Sequence, residues 1–240
     1  MTKNKIIVGD LHGDIDIYRK IKDIYIDNEI ILVGDYVDSF NKTRKQQYLL
    51  LEEILKDVEN KKTIALKGNH ELSYLYPDRM GASGRSNTFS AQIMPLFSDM
   101  HRLLLPYYVI PDHKILITHA GMSKRLVPFD SNCLDDMNLL TMWLDQEIRS
   151  IDYGRVYNIG EARGGVDLIG GIFWCDYQWD FTPIDDIIQI FGHTPGTEIR
   201  QRDNNYNIDC LQSKKEVLEI LEDGSIRKVN LEDNSNAKVQ

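Results

Sequence analysis

A chain of 240 residues with 42% hydrophobic content can bury one sizeable α/β core, and its net charge of -9 argues against general nucleic-acid binding through a basic surface. Its three cysteines, Cys133, Cys175 and Cys210, lack metal-type spacing, and the odd count suits reduced thiols better than a disulfide framework. No apolar stretch is long enough to span a bilayer, and a strand-like run starts too early for a signal peptide, so a soluble, cytoplasmic protein is expected.

Three short apolar runs come first: Ile6-Ile7-Val8, Ile30-Ile31-Leu32-Val33 and Ile64-Ala65-Leu66. Each is rich in β-branched residues and gives way to glycine within two residues, as buried strands of a covered sheet do. Between them, Ile15 to Ile26 and Arg44 to Val58 read as amphipathic helices; in the second, Tyr48, Leu51, Leu55 and Val58 recur at helical spacing. The β-α-β-α-β order predicts parallel strands joined by right-handed crossovers. Thr88 to Leu104 predicts a helix broken near Pro95. Tyr107 to Ile110 and Ile115 to Ile117 predict a hairpin turning at Pro111-Asp112. Leu134 to Ile148 reads as a helix and the glycine-rich Gly160 to Gly171 as a loop. Later strands are expected at Ile187 to Phe191, Tyr206 to Asp209, Glu216 to Leu221 and Ser225 to Val229, with a tight turn at Glu222-Asp223-Gly224. Residues 1–231 read as a single domain and 232–240 as a polar tail.

The early strands all run into groups that bind metals. The first leads to Asp10-Leu11-His12, the second to Gly34-Asp35-Tyr36-Val37-Asp38, the third to Gly68-Asn69-His70-Glu71. Later, His119-Ala120-Gly121 and Gly192-His193-Thr194 repeat the pattern. Ligands of an α/β sheet gather at the carboxyl ends of strands, so distant segments can converge there. One such piece is weak; five in order, each after an apolar run, are specific.

These five motifs resemble those of the calcineurin-like metallophosphoesterases, closest to the phosphoprotein-phosphatase branch, including small bacterial and phage phosphatases. The resemblance covers about Ile6 to Asp209. It implies an α/β fold with a central β-sandwich of two mixed sheets flanked by helices on both sides. It also implies two divalent metal ions, with Mn²⁺ first and Fe or Zn²⁺ as alternatives for a mixed carboxylate, amide and imidazole ligand set. By the same resemblance, Asp10 and His12 hold the first ion, Asp35 bridges both, and Asn69, His119 and His193 complete the second site. Such a pair can activate a bridging water for in-line attack on a phosphate ester, as single zinc ions lower water's pKa from about 15.7 towards about 7. His70 resembles the family's general acid, and Asp38 the carboxylate that orients it.

The pattern departs in one place. Phosphoprotein phosphatases usually carry an arginine after the second aspartate of Asp35-Tyr36-Val37-Asp38, where this chain has Ser39. A serine cannot replace the bidentate fork. Arg163, Arg85 and Lys67 are the candidate substrate-binding cations, Arg163 and Arg85 for their glycine-flanked settings and Lys67 as a point charge. Trp174, Tyr177, Trp179 and Phe181 form an aromatic-rich stretch suited to core packing or a lid, or to stacking a nucleobase. The expected function is hydrolysis of phosphate monoesters by a metal-bridging hydroxide, of Ser/Thr protein phosphatase type. The alternatives are a nucleotide phosphohydrolase, on dinucleoside polyphosphates or nucleic-acid ends, and a scaffold that has lost its chemistry. Retention of every matched ligand argues against the scaffold, and Pro195, where related nucleases carry a second histidine, against a nuclease. The expected partner is a phosphorylated substrate, with oligomeric state left open.

Overall fold

In the computed structural model, residues 3–128, 132–152 and 154–233 are described. The tail assigned to 232–240 therefore lies mostly outside the described residues. The chain divides into two compact units. One holds the chain through Leu105, Gly196–Ile199 and the chain from Ile208 onward; the other holds Pro106–Pro195 and Arg200–Asn207.

The first unit is built on strands β1 (Lys5–Val8), β2 (Glu29–Leu32) and β3 (Thr63–Ala65), joined by helices α1 (Ile15–Ile24) and α2 (Arg44–Glu59). The three strands are parallel, with Ile7 opposite Ile31 and Ile31 opposite Ile64, as the β-α-β-α-β order requires. Two late strands, β9 (Glu216–Ile220) and β10 (Ile226–Asn230), extend the sheet antiparallel beyond β1, giving the order β10-β9-β1-β2-β3. Helix α2 starts at Thr43, whose side chain accepts the Gln46 N–H while Gln46 reaches back to Thr43, a reciprocal cap. Its apolar face, Leu50, Leu51, Ile54 and Leu55, is buried in one cluster with Ile6, Val8, Leu32 and Tyr18.

A short helix that the sequence reading did not include, α3 (Asn69–Leu75), follows β3. The segment expected to break near Pro95 does so: α4 (Asn87–Ile93) passes through a single 3₁₀ turn at Met94–Leu96 into α5 (Phe97–Leu103).

The second unit has its own five strands in the order β4-β5-β6-β8-β7. Strands β4 (Tyr108–Ile110) and β5 (Ile115–Ile117) form the expected hairpin, turning through Pro111–His113. Strand β6 (Ile188–Phe191) runs parallel to both β5 and β8 (Asn205–Asn207), and β7 (Arg200–Arg202) closes the edge antiparallel to β8. β7 is Arg-Gln-Arg and has no apolar pattern to read; it exists because it pairs with β8 across a turn in which Asp203 takes φ +52°. The helix expected from Leu134 begins later, as α6 (Met137–Ile148), because Asp136 caps it by accepting the Asn138 and Leu139 N–H groups. Of the aromatic stretch, Trp174, Tyr177 and Phe181 are buried, and Trp179 is 75% exposed. Tyr177 and Phe181 join Ala120, Cys175 and Phe191 in a core cluster, with the Phe181 and Phe191 rings 4.7 Å apart. All three cysteines are buried. Among the described residues, no helix is long and apolar enough to cross a membrane.

Because Phe191 is wholly buried and directly precedes the Gly192-His193 motif, Phe191→Ala is expected to destabilise the protein by about 3–5 kcal/mol. A urea unfolding curve checks this, as a lowered midpoint with an unchanged slope.

Candidate metal and catalytic centre

In the first unit, Asp10 and His12 follow β1, Asp35 and Asp38 follow β2, and Asn69 and His70 open α3 after β3. Asp10, Asp35, Asp38, Asn69 and His70 are all buried. Nine described non-glycine residues have positive φ, and His12, Asp35 and Asp38 are three of them, at +41°, +55° and +60°. Side chains in that region carry a steric cost and persist where neighbours hold them.

Glu71 supplies that hold. Its carboxylate, fully buried, accepts the N–H groups of Asp35 (2.9 Å), Tyr36 (2.8 Å) and Gly68 (2.9 Å). Burial and the nearby Asp35 charge push its pKa up to about 7, against the pull of those N–H donors. Gly68 is needed for this closeness: a Cβ there would lie 2.1 Å from Asp35 Oδ1. The Asp35 side chain in turn accepts the His70 N–H at 3.1 Å.

The imidazoles are oriented from behind. His12 Nδ1 lies 2.9 Å from the Val37 carbonyl, so it carries the proton and leaves the Nε2 lone pair available. His70 Nδ1 lies 2.9 Å from Asp38 Oδ2, and the Tyr74 hydroxyl donates to the other Asp38 oxygen. Asp38 is fixed further by its own N–H, which donates to Gln47 Oε1 at 2.8 Å. Both free imidazole edges face Asp35: His12 Nε2 at 3.9 Å and His70 Nε2 at 3.7 Å from Oδ2. One ligand atom from each of His12, Asp35 and His70 falls within 4.8 Å of the others. Burial disfavours the His70 imidazolium, but the Asp35 and Asp38 carboxylates overcome it and lift the pKa to about 9. Clustered carboxylate oxygen and imidazole nitrogen at this depth form a donor set that fits a borderline divalent cation.

In the second unit, His119 follows β5 and His193 follows β6, and the two are brought together with Nε2 and Nδ1 3.2 Å apart. Both are buried, and His193 also has positive φ, +67°. Two imidazole nitrogens this close share either a proton or a cation, so this pair also fits a metal. Arg163, on a 3₁₀ turn at Glu161–Arg163, bonds the residue that follows His193. Its Nη2 donates to Thr194 Oγ1 at 2.6 Å, and its Nε is ion-paired with Asp176 at 3.0 Å.

The other two candidate cations have different settings. Arg85 lies over the Tyr74 ring, its Nε donating to the Ser73 carbonyl and its Nη1 to Asn87. Lys67 is partly buried, which pushes its pKa down; burial, and then the Lys67 charge, depress that of His101. Ser39, where the resemblance led to an arginine being expected, uses its hydroxyl to accept the Asn41 and Lys42 N–H groups, so the position serves a local turn. Glu71, Tyr74 and Gln47 were not assigned roles from the sequence. Only the three-residue spacing from Gly68 to Glu71, that of a helix N-cap and its N3 glutamate, signals one of them.

Residues 5–227 match the family of calcineurin-like phosphoesterases, and the chain belongs to that family. A probable serine/threonine-protein phosphatase of Encephalitozoon cuniculi is 32% identical over 136 residues, which are 52% of this chain and 28% of that protein. The chain thus matches well under half the length of this curated relative. Among solved structures, a protein serine/threonine phosphatase from Saccharomyces cerevisiae is similar with a TM-score of 0.57 at 15% identity, over 95% of this chain and 80% of that one. A candidate diadenosine tetraphosphatase is similar with a TM-score of 0.54 at 14% identity, over 96% and 94% of the two chains. These likenesses show the metallophosphoesterase fold class, with two mixed five-stranded sheets and flanking helices.

Glu71→Gln keeps the shape but turns an acceptor oxygen into a donor that faces main-chain N–H groups. It is expected to weaken Mn²⁺ binding by roughly 10- to 100-fold, as loss of a group supporting a ligand does. Isothermal titration of metal-stripped protein reads this directly.

Proposed function

We propose that the chain is a metal-dependent phosphatase that hydrolyses phosphate monoesters, of the Ser/Thr protein phosphatase type. The observation that carries this reading is the convergence of His12 Nε2 and His70 Nε2 on the Asp35 carboxylate, with Asp38 holding His70 from behind. The curated relative named as a probable serine/threonine-protein phosphatase supports the substrate type. Since the family match runs without a break across 5–227, both units are taken to serve one domain over residues 1–231.

In this reading Asp10, His12, Asp35, Asn69, His119 and His193 are the ligands of two divalent ions, Mn²⁺ first, with Fe or Zn²⁺ as alternatives. The ions supply Lewis acidity for the attacking water and the phosphate oxygens. His70 then donates a proton from Nε2 to the departing ester oxygen, while Asp38 bonds Nδ1 and stabilises the imidazolium form that donates. Tyr74 and Gln47 keep Asp38 in place for that task. Arg163 is the proposed phosphate clamp, replacing the arginine missing at Ser39. Arg85 is proposed as a second candidate for the clamp and Lys67 as a point charge. An odd number of cysteines fits a reducing, cytoplasmic setting.

A nucleotide substrate is the second reading, and Trp179 favours it. The exposed indole belongs to a residue whose N–H donates at 3.1 Å to Asp176, the same carboxylate that pairs with Arg163. Base stacking on such a ring is worth about 1–3 kcal/mol. Comparing kcat/KM for a phosphoserine peptide and a dinucleoside tetraphosphate separates the two readings.

The acid role of His70 is tested by leaving-group dependence. His70→Asn is expected to lower kcat by about 100-fold or more on an alkyl phosphate and far less on p-nitrophenyl phosphate, whose leaving group scarcely needs a proton. Equal losses on both substrates, with weakened Mn²⁺ binding, would instead make His70 a metal ligand. Arg163→Ala is expected to lower kcat/KM by roughly 10- to 100-fold on every substrate, as loss of a charged hydrogen bond does. Unchanged kcat and KM in steady-state assays would remove it from the site.

A further inference from the structure

His193 stands at the centre of a three-residue turn: the Thr194 N–H donates to the Gly192 carbonyl at 2.8 Å, and His193 takes φ +67°. Turns of this form with positive φ at the centre are rare and strained, and they last only where surrounding groups over-determine them. Here both carbonyls that flank His193 are gripped. The Gly192 carbonyl also accepts Asn207 Nδ2, and the Thr194 carbonyl accepts Arg200 Nη2. The same Arg200 Nη2 donates to Asn207 Oδ1 at 2.8 Å, which joins the two grips into one unit. Arg200 is itself fixed by the Tyr177 ring, 4.7 Å from its guanidinium carbon. Thr194 is held on its other side as well, since its hydroxyl accepts Arg163 Nη2 and the Tyr177 N–H.

We infer that Arg200 is a positioning residue for His193: through Thr194 and Asn207 it holds the strained turn that aims the imidazole towards His119. The inference rests on the reading of His193 as a metal ligand. It assigns a task to a residue of the edge strand β7. Through Thr194, the turn that carries His193 and the Arg163 fork share one frame, so disturbing Arg200 reaches the ligand while leaving its chemistry intact.

A second arginine provides the control. Arg202 stacks on the same Tyr177 ring at the same 4.7 Å distance and donates to the Phe181 carbonyl at 2.7 Å, but it bonds neither Thr194 nor Asn207. Mn²⁺ titration of the metal-stripped full chain, by calorimetry and by the electron paramagnetic resonance of bound Mn²⁺, is the experiment, with His193→Ala marking which bound ion depends on His193. Arg200→Ala is expected to weaken that ion by roughly 10- to 100-fold, as loss of a group orienting a ligand does, while Arg202→Ala leaves it within about threefold. Arg200→Lys, the milder variant should Arg200→Ala fail to fold, is expected to give an intermediate loss, because an ammonium cannot reproduce the planar fork stacked on Tyr177. Equal weakening in Arg200→Ala and Arg202→Ala would reduce Arg200 to a structural stack and overturn the inference. So would wild-type affinity in Arg200→Ala or in Arg200→Lys. If His193→Ala removes no ion from the wild-type count, the ligand reading fails, and the inference with it.

Discussion

Glu71 accepts hydrogen bonds from the main-chain N–H groups of Asp35, Tyr36 and Gly68 with a carboxylate that has no exposure to solvent. An unpaired buried carboxylate would be costly, so this geometry commits the loop after β2 and the start of α3 to one arrangement. Asp35 can then take its left-handed backbone, with one side-chain oxygen on the His70 N–H and the other facing His12 and His70. The absence of a side chain at Gly68 is part of the same constraint, because any Cβ there would collide with Asp35. The first unit's grouping of Asp35, His12 and His70 therefore depends on Glu71, which acts through main-chain N–H groups.

The second unit reaches a similar result by other means. Its strained residue, His193, is stabilised by guanidinium and amide donors on the neighbouring carbonyls. Positive φ at candidate ligand positions, supported by hydrogen bonds to main-chain groups, is common to both units. Rigid support of this kind is what a metal centre needs, since ligand geometry fixes which ion is favoured and how tightly it is held.

Much of this was legible in the sequence, for identifiable reasons. The strands β1, β2 and β3 announce themselves as β-branched runs ended by glycine, and the ligand motifs follow them directly. The break at Pro95 follows from proline's missing N–H and its clash with the preceding turn. What escaped was either polar or long-range. The edge strand β7, Arg-Gln-Arg, has no apolar face and is defined only by its partner. Helix α3 was concealed because its first residues read as a metal-binding loop. Tyr74 and Gln47 support Asp38 from positions 36 and 9 residues away, and only the folded chain shows that they meet it. Arg163 was singled out from its glycine-flanked loop, yet its links to Thr194 and Asp176 needed the fold. What Ser39 does in place of the expected arginine is visible only in the structure: its hydroxyl accepts two N–H groups of the turn that leads into α2.

The central claim is that buried ligand groups of this chain hold a pair of divalent ions on which phosphoester hydrolysis depends. The most direct test is to measure bound Mn²⁺ per chain and hydrolysis of p-nitrophenyl phosphate in the same samples, for the wild type and for Asp35→Asn, after stripping and graded return of metal. The account predicts that wild-type activity rises as the second ion binds, and that Asp35→Asn, which loses the proposed bridging carboxylate, loses tight binding and turnover together. Full wild-type activity in chelator, or an Asp35→Asn protein that keeps both ions and its turnover, would contradict it.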